Sequence, residues 1–305
     1  MNWLTKRLAL VRKSFQRGIG LYKYQHDLAV ILGRTPPTGK TAPAPDDLLL
    51  IRQLQKDLAA VTADLDRANF RLRDLEHDRG VENSSGIAIK WTIFKSLEYC
   101  FVASVPGSFA EFGTFNGTTA SYIARAIRTY QQQYQPMEAA HQILNRTFYL
   151  FDSFAGLPPM TEAADVASPH VAANVWIPGA MKGASAAQLA TLVGAQLDAR
   201  QFQIIPGFFK ATVPTIDPAV SFAFLHVDCD LFESTMDALG VLFARKQVSP
   251  GCMILFDDWN CNRASNDHGE RKAWQHLAQR YSIQYSDLGS YACVGHRFIV
   301  HSYSN

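Results

Sequence analysis

The chain has 305 residues, 48% of them hydrophobic and 18% charged. That is enough apolar material for one large domain or two small ones, and too much for global disorder. A formal net charge of +2 excludes a uniformly basic nucleic-acid binder. The charge is unevenly placed, however. Residues 1–34 carry Lys6, Arg7, Arg12, Lys13, Arg17, Lys23 and Arg34 against Asp27 alone, a net +6, so the remainder carries −4. The five cysteines (Cys100, Cys229, Cys252, Cys261, Cys293) are odd in number and form no C-x-x-C pair, which implies neither a zinc site nor a disulfide framework. No apolar run reaches the length of a membrane span or a signal peptide, so the expected compartment is the reducing cytoplasm.

In chain order, residues 1–34 come first. Leu4, Leu8, Val11, Phe15 and Ile19 recur at helical spacing between basic residues. This predicts a cationic amphipathic helix, suited to peripheral contact with an anionic membrane face or to packing on the protein's own surface. Residues 35–46 (TPPTGKTAPAPD) hold four prolines without periodicity and read as a linker. Residues 47–80 carry the cleanest period in the sequence. Ile51, Leu58, Leu65 and Leu72 fall at heptad position a, and Leu54, Val61, Ala68 and Leu75 at d. Four such heptads predict a coiled coil and hence a homo-oligomer, or alternatively one long helix lying on the body of its own chain.

From residue 86 to 305 apolar runs ending in acidic or glycine residues alternate with helical stretches. Strands are expected at 108–113, 148–151, 202–205, 222–227 and 252–256, with a final pair at 283–286 and 298–301 joined by 288–295. Alternating strands and helices imply right-handed crossovers and a mostly parallel α/β sheet with helices on both faces. In such sheets ligands sit beyond the carboxyl ends of the strands.

The first strand ends in Ala110-Glu111-Phe112-Gly113-Thr114-Phe115-Asn116-Gly117-Thr118-Thr119. The glycines permit a tight turn, but the G-x-x-x-G spacing is neither a phosphate loop nor a dinucleotide fingerprint. A loop with an acidic residue just before it suits a positively charged ligand without phosphate, and S-adenosylmethionine fits that description. The second strand ends in Asp152-Ser153, where α/β folds commonly hold ribose hydroxyls. The fourth delivers Asp228-Cys229-Asp230 and the fifth Asp257-Asp258. Four crowded carboxylates repel one another unless a cation compensates them, and oxygen ligands favour a hard ion such as Mg2+. Helix capping is the ordinary alternative; Asp230 with Glu233 three residues on looks like a capping-box variant. The stretch 160–197 could fold over the site as a lid.

AEFGTFNGTT, LFDSFAGLPPMT, FLHVDCDLFESTMDAL and PGCMILFDDW, in this order, resemble the macrocin O-methyltransferase family over roughly residues 87–300. The resemblance implies a Rossmann-like class I methyltransferase domain with a seven-stranded sheet, using S-adenosylmethionine and Mg2+ to methylate sugar hydroxyls. It implies that Glu111, Gly113 and Gly117, with Thr114, Asn116 and Thr118 beside them, line the methionine end of the cofactor. Asp152 and Ser153 would hold its ribose, and Gly207 would lie near the adenine. Asp228, Asp257 and Asp258 would bind the metal, with Asp230 as general base. The rivals are a catechol-type O-methyltransferase on a small phenolic, and a non-catalytic coiled-coil scaffold with a cofactor-binding body. No aromatic-interleaved basic groove is visible in residues 86–305, so no nucleic-acid partner is expected.

Overall fold

The computed structural model describes residues 85–143 and 146–304. The basic segment, the linker and the coiled coil predicted for residues 1–80 lie outside the described residues. Among those described, no helix is long and apolar enough to cross a membrane.

The chain alternates helix and strand in the expected manner. Helix α1 (Ser85–Val102) leads into β1 (Ser108–Phe112), α2 (Thr118–Ala140) and β2 (Phe148–Asp152). Short helices α3 (Ala163–Val166) and α4 (Pro169–Ala172) and the longer α5 (Ala186–Gly194) precede β3 (Phe202–Pro206). After α6 (Phe209–Thr212) come β4 (Phe222–Val227), α7 (Phe232–Ala244), β5 (Val248–Phe256), α8 (Gly269–Arg280) and the hairpin of β6 (Gln284–Tyr291) and β7 (Gly295–Ser302). The seven strands form one sheet in the order β3-β2-β1-β4-β5-β7-β6. All neighbours are parallel except β7, which runs antiparallel to β5 and β6. The order reverses between β1 and β4, and this switch point opens the crevice where ligands bind in doubly wound sheets.

Alternation along the central strands divides the core into two layers. Phe109, Phe148, Phe224, Met253 and Leu255 face Ile93, Leu97 and Phe101 of α1 and Ile123 and Ile127 of α2. Ala110, Phe151, Leu225, Ile254 and Phe256 face Leu239, Leu242 and Phe243 of α7 and Trp274 and Leu277 of α8. Strands covered on both faces read as near-continuous apolar runs, so Glu111 and His226 inside β1 and β4 stand out.

Two expectations are corrected. The fifth strand begins at Val248, not Cys252, and passes through Pro250-Gly251 with a register shift against Phe222–Phe224; the Pro-Gly pair marks a bulge rather than a strand end. The connection expected at 288–295 is instead mostly strand, and only residues 292–294 form the turn. Most β6 residues are exposed or half-buried, so this edge strand lacks the apolar alternation by which strands are read.

Candidate active site

The loops after β1 and β2 are organised by one carboxylate. Asp152 Oδ2 accepts from the Thr114 amide at 2.8 Å, the Thr114 hydroxyl at 2.9 Å and the Phe115 amide at 3.2 Å; Oδ1 accepts from the Phe154 amide at 2.7 Å. Gly113 adopts φ +86° and lies against the β4 end, where a Cβ would collide with the Asp228 carbonyl oxygen. Only glycine satisfies both the left-handed backbone and that approach. The loop after β1 and the Asp228 loop are therefore in direct backbone contact. Asn116 Oδ1 accepts from the Thr118 amide and hydroxyl at 3.1 and 2.8 Å, supplying partners at the start of α2.

The acidic cluster forms beyond β4 and β5. Asp228, Asp230 and Asp258 each bring one carboxylate oxygen to within 4.8 Å of the others. Burial raises all three carboxyls above the usual carboxylate range; after it, the Asp257 carboxylate contributes most for Asp228 and Asp258, and the Asp258 carboxylate most for Asp230. A clustered set of partly buried oxygens held at this energetic disadvantage fits a hard cation, which would stabilise the ionised forms. Asp257 does not join the three: its Oδ1 accepts from the Tyr291 hydroxyl at 3.4 Å and lies 4.0 Å from His226 Nε2.

Glu270, which sequence reading passed over, fixes the two acidic loops relative to each other. Its buried carboxylate accepts from the Cys229 amide at 3.1 Å through Oε1 and from the Asp258 amide at 2.9 Å through Oε2. The preceding Gly269 has φ +55°, and a Cβ there would approach the Asp230 carbonyl oxygen to 3.0 Å. Asp258 also accepts from the Cys261 thiol at 3.1 Å.

The expected cap on α7 is not Asp230. The N-cap residue is Leu231, which makes no side-chain cap bond, and Asp230 sits at φ +58° in the turn before it. The cap comes from α3: buried Asp165 accepts from the Phe232 amide at 2.7 Å and the Glu233 amide at 3.0 Å. The same segment is tied down again where the His170 amide donates to Asn262 Oδ1 at 3.1 Å and where His268 Nδ1 meets the Ala164 carbonyl at 2.8 Å. A capping box does occur, at Ser185 and Gln188 on α5.

These elements enclose a cleft of about 560 Å³, within the range of small-molecule sites. The cleft is lined by Gly113, Asp152 and Ser153, by Asp228, Asp230 and Asp258, and by Thr161, Trp176 and Met181 of the 160–197 stretch. Of the residues expected at the cofactor, the structure brings Gly113, Asp152 and Ser153 to the cleft. Thr114, Asn116, Gly117 and Thr118 shape the loop behind it. Gly207 (φ +130°) flanks it, with Phe208 and Phe209 reaching in. Glu111 is wholly buried in the sheet and does not reach the cleft. Its place in the strand alternation turns it toward the α1 and α2 face, with Phe109.

Three comparisons bear on this arrangement. Residues 91–281 match the family model described as Macrocin-O-methyltransferase (TylF). Over 205 residues the chain is 27% identical to demethyldecarbamoylnovobiocin O-methyltransferase of Streptomyces niveus, spanning 63% of this chain and 72% of that one. Over 187 residues it is 29% identical to the 8-demethyl-8-(2,3-dimethoxy-alpha-L-rhamnosyl)-tetracenomycin-C 4'-O-methyltransferase of Streptomyces olivaceus, spanning 58% of this chain and 64% of that one, a little under two thirds. The solved O-methyltransferase NovP shares the fold, with a TM-score of 0.53 at 23% identity, over 70% of this chain and 79% of that structure.

Proposed function

The chain belongs to the macrocin O-methyltransferase family and is an S-adenosylmethionine-dependent O-methyltransferase, and from that premise we propose that it methylates a hydroxyl of a sugar or glycosylated natural product with the help of Mg2+. The observation that carries the reading is the convergence of Asp228, Asp230 and Asp258 in the same cleft as the Asp152-organised loops. The rhamnosyl acceptor in the name of the Streptomyces olivaceus relative supports a sugar.

When bound, S-adenosylmethionine would supply the electrophilic methyl group and Mg2+ would supply positive charge that favours loss of a proton from the acceptor hydroxyl. The chain's own residues do the rest. Asp152 accepts hydrogen bonds from the ribose, and Gly113 and Ser153 let the cofactor lie close to the backbone. Asp228 and Asp258 would hold the ion, with Asp257, the third ligand that the resemblance implies, next to Asp258 in the chain, and Glu270 keeps the two loops in register. Asp230 takes the acceptor proton at a carboxylate oxygen; burial and the neighbouring carboxylates raise its affinity for a proton, which suits a general base. Trp176 and Met181 present apolar surface to the cleft, which would limit water at the reacting centre. The grouping of Asp230 with Asp228 and Asp258 also supports a second reading, in which Asp230 is itself a ligand.

The test is turnover of S-adenosylmethionine on a panel of deoxysugar glycosides and catechols, with Mg2+ and with chelator. Turnover on glycosides that chelator abolishes is expected. Turnover confined to catechols would overturn the sugar assignment, and cofactor binding with no turnover on any acceptor would favour the scaffold reading.

A further inference from the structure

Glu111 on β1 and His226 on β4 are register partners across the middle of the sheet, and both are 0% exposed. Glu111 Oε1 lies 3.2 Å from His226 Nδ1, and His226 Nε2 lies 4.0 Å from Asp257 Oδ1 at the end of β5. The Tyr291 hydroxyl donates to that same Oδ1 at 3.4 Å. Both oxygens of Glu111 and both nitrogens of His226 lack any aligned hydrogen-bond partner, and their surroundings on this face are Phe109, Leu150, Phe224 and Leu255.

Such an arrangement is a poor way to stabilise a sheet. Buried ionisable pairs rarely repay their desolvation, and apolar replacements of similar volume are often neutral or stabilising. What the pair does have is position. It runs from the strand that carries the cofactor loop to the carboxylate that the acidic cluster leaves aside. Both contacts on Asp257 fall on Oδ1, which leaves Oδ2 clear of them, although Asp257 lies outside the group formed by Asp228, Asp230 and Asp258. We infer that Glu111 and His226 are positioning residues for Asp257, holding its carboxylate from behind for the cation and making no contact with the cofactor. This rests on the metal reading given above.

The experiment compares the full-length protein with the double variant Glu111→Met/His226→Leu and with the near-isosteric Glu111→Gln, which keeps the test alive if the double variant fails to fold. Mg2+ alone is titrated by calorimetry, S-adenosylmethionine is titrated separately, and thermal midpoints are taken without ion. Removing groups that orient a metal ligand weakens metal binding by about 10–100-fold. The expected result is a loss of that size for Mg2+, an unchanged cofactor affinity, a thermal midpoint that is unchanged or higher, and recovery of kcat at high Mg2+. Mg2+ affinity equal to that of the parent overturns the inference, and so does weakened cofactor binding with Mg2+ binding intact. A parent protein that binds no Mg2+ overturns the metal reading and this inference together.

Discussion

Asp165, in a four-residue helix, caps the helix that starts at Phe232, 67 positions away in sequence, accepting its amide at 2.7 Å. The segment that walls the cleft is thereby fastened to the turn that carries Asp230. Asp165→Ala removes both amide bonds, to Phe232 and Glu233, and should cost about 0.5–2 kcal/mol of stability. It should also raise the KM for the acceptor while leaving cofactor affinity intact. Urea unfolding and steady-state kinetics of this variant check both; a loss of stability with unaltered acceptor KM would make Asp165 a cap and nothing more.

Asp152 bridges the β1 and β2 loops and is placed to meet the ribose. Asp152→Ala should weaken S-adenosylmethionine binding by about 1.5–3 kcal/mol, the range for hydrogen bonds to a charged group. Calorimetric titration reads this directly, and an undiminished affinity would remove Asp152 from the cofactor site.

Asp230→Asn separates three roles. A helix cap would survive it, since Asn caps as well as Asp; the structure already gives that role to Asp165. A metal ligand would show a shifted Mg2+ titration. A general base should lose about 10²–10⁴-fold in kcat, with Mg2+ affinity little changed and no rescue by added ion. We expect the last outcome, and near-normal turnover would rule it out.

The ion-free cluster has a predictable pH signature. Asp228, Asp230, Asp258 and Glu270 are all pushed above their ordinary values by burial and by neighbouring carboxylates, Asp257 among them. Between the unfolded values, near pH 4, and the raised folded ones, the folded state binds more protons than the unfolded. The stability of the chelated protein contributed by these groups is therefore greatest at low pH and is lost as pH rises through that window. Mg2+ demands ionised ligands, so the stabilisation it confers should grow with pH. Thermal melts across this range with EDTA and with Mg2+ test it; a Mg2+ shift independent of pH would contradict the cluster's role.

The heptads at 51–75 predict self-association. Polar residues in place of Leu58 and Leu65 should weaken the oligomer and spare cofactor binding. Light scattering decides this, and a monomeric parent would leave the coiled-coil reading without support.

The sequence by itself determined the strand ends and what stands on them. Apolar runs such as Phe222–Val227 are local signals, and the acidic residues that follow each run are set at the sheet's carboxyl edge by chain connectivity alone. That was enough to place Asp152, Asp228, Asp230 and Asp258 around one cleft. It was not enough to orient Glu111, which stands two residues before Gly113 but faces the interior, because direction within a strand depends on which layer covers each face. Nor could it find Asp165 or Glu270. Asp165 meets a partner 67 positions away, and Glu270 meets one 41 and another 12 positions away, and no periodicity links such pairs. Only the tertiary structure, with β4 set beside β5 and the Ala163–Val166 helix over the turn after β4, brings those buried carboxylates to amides that would otherwise lack a protein partner, and burial is what makes each such bond matter.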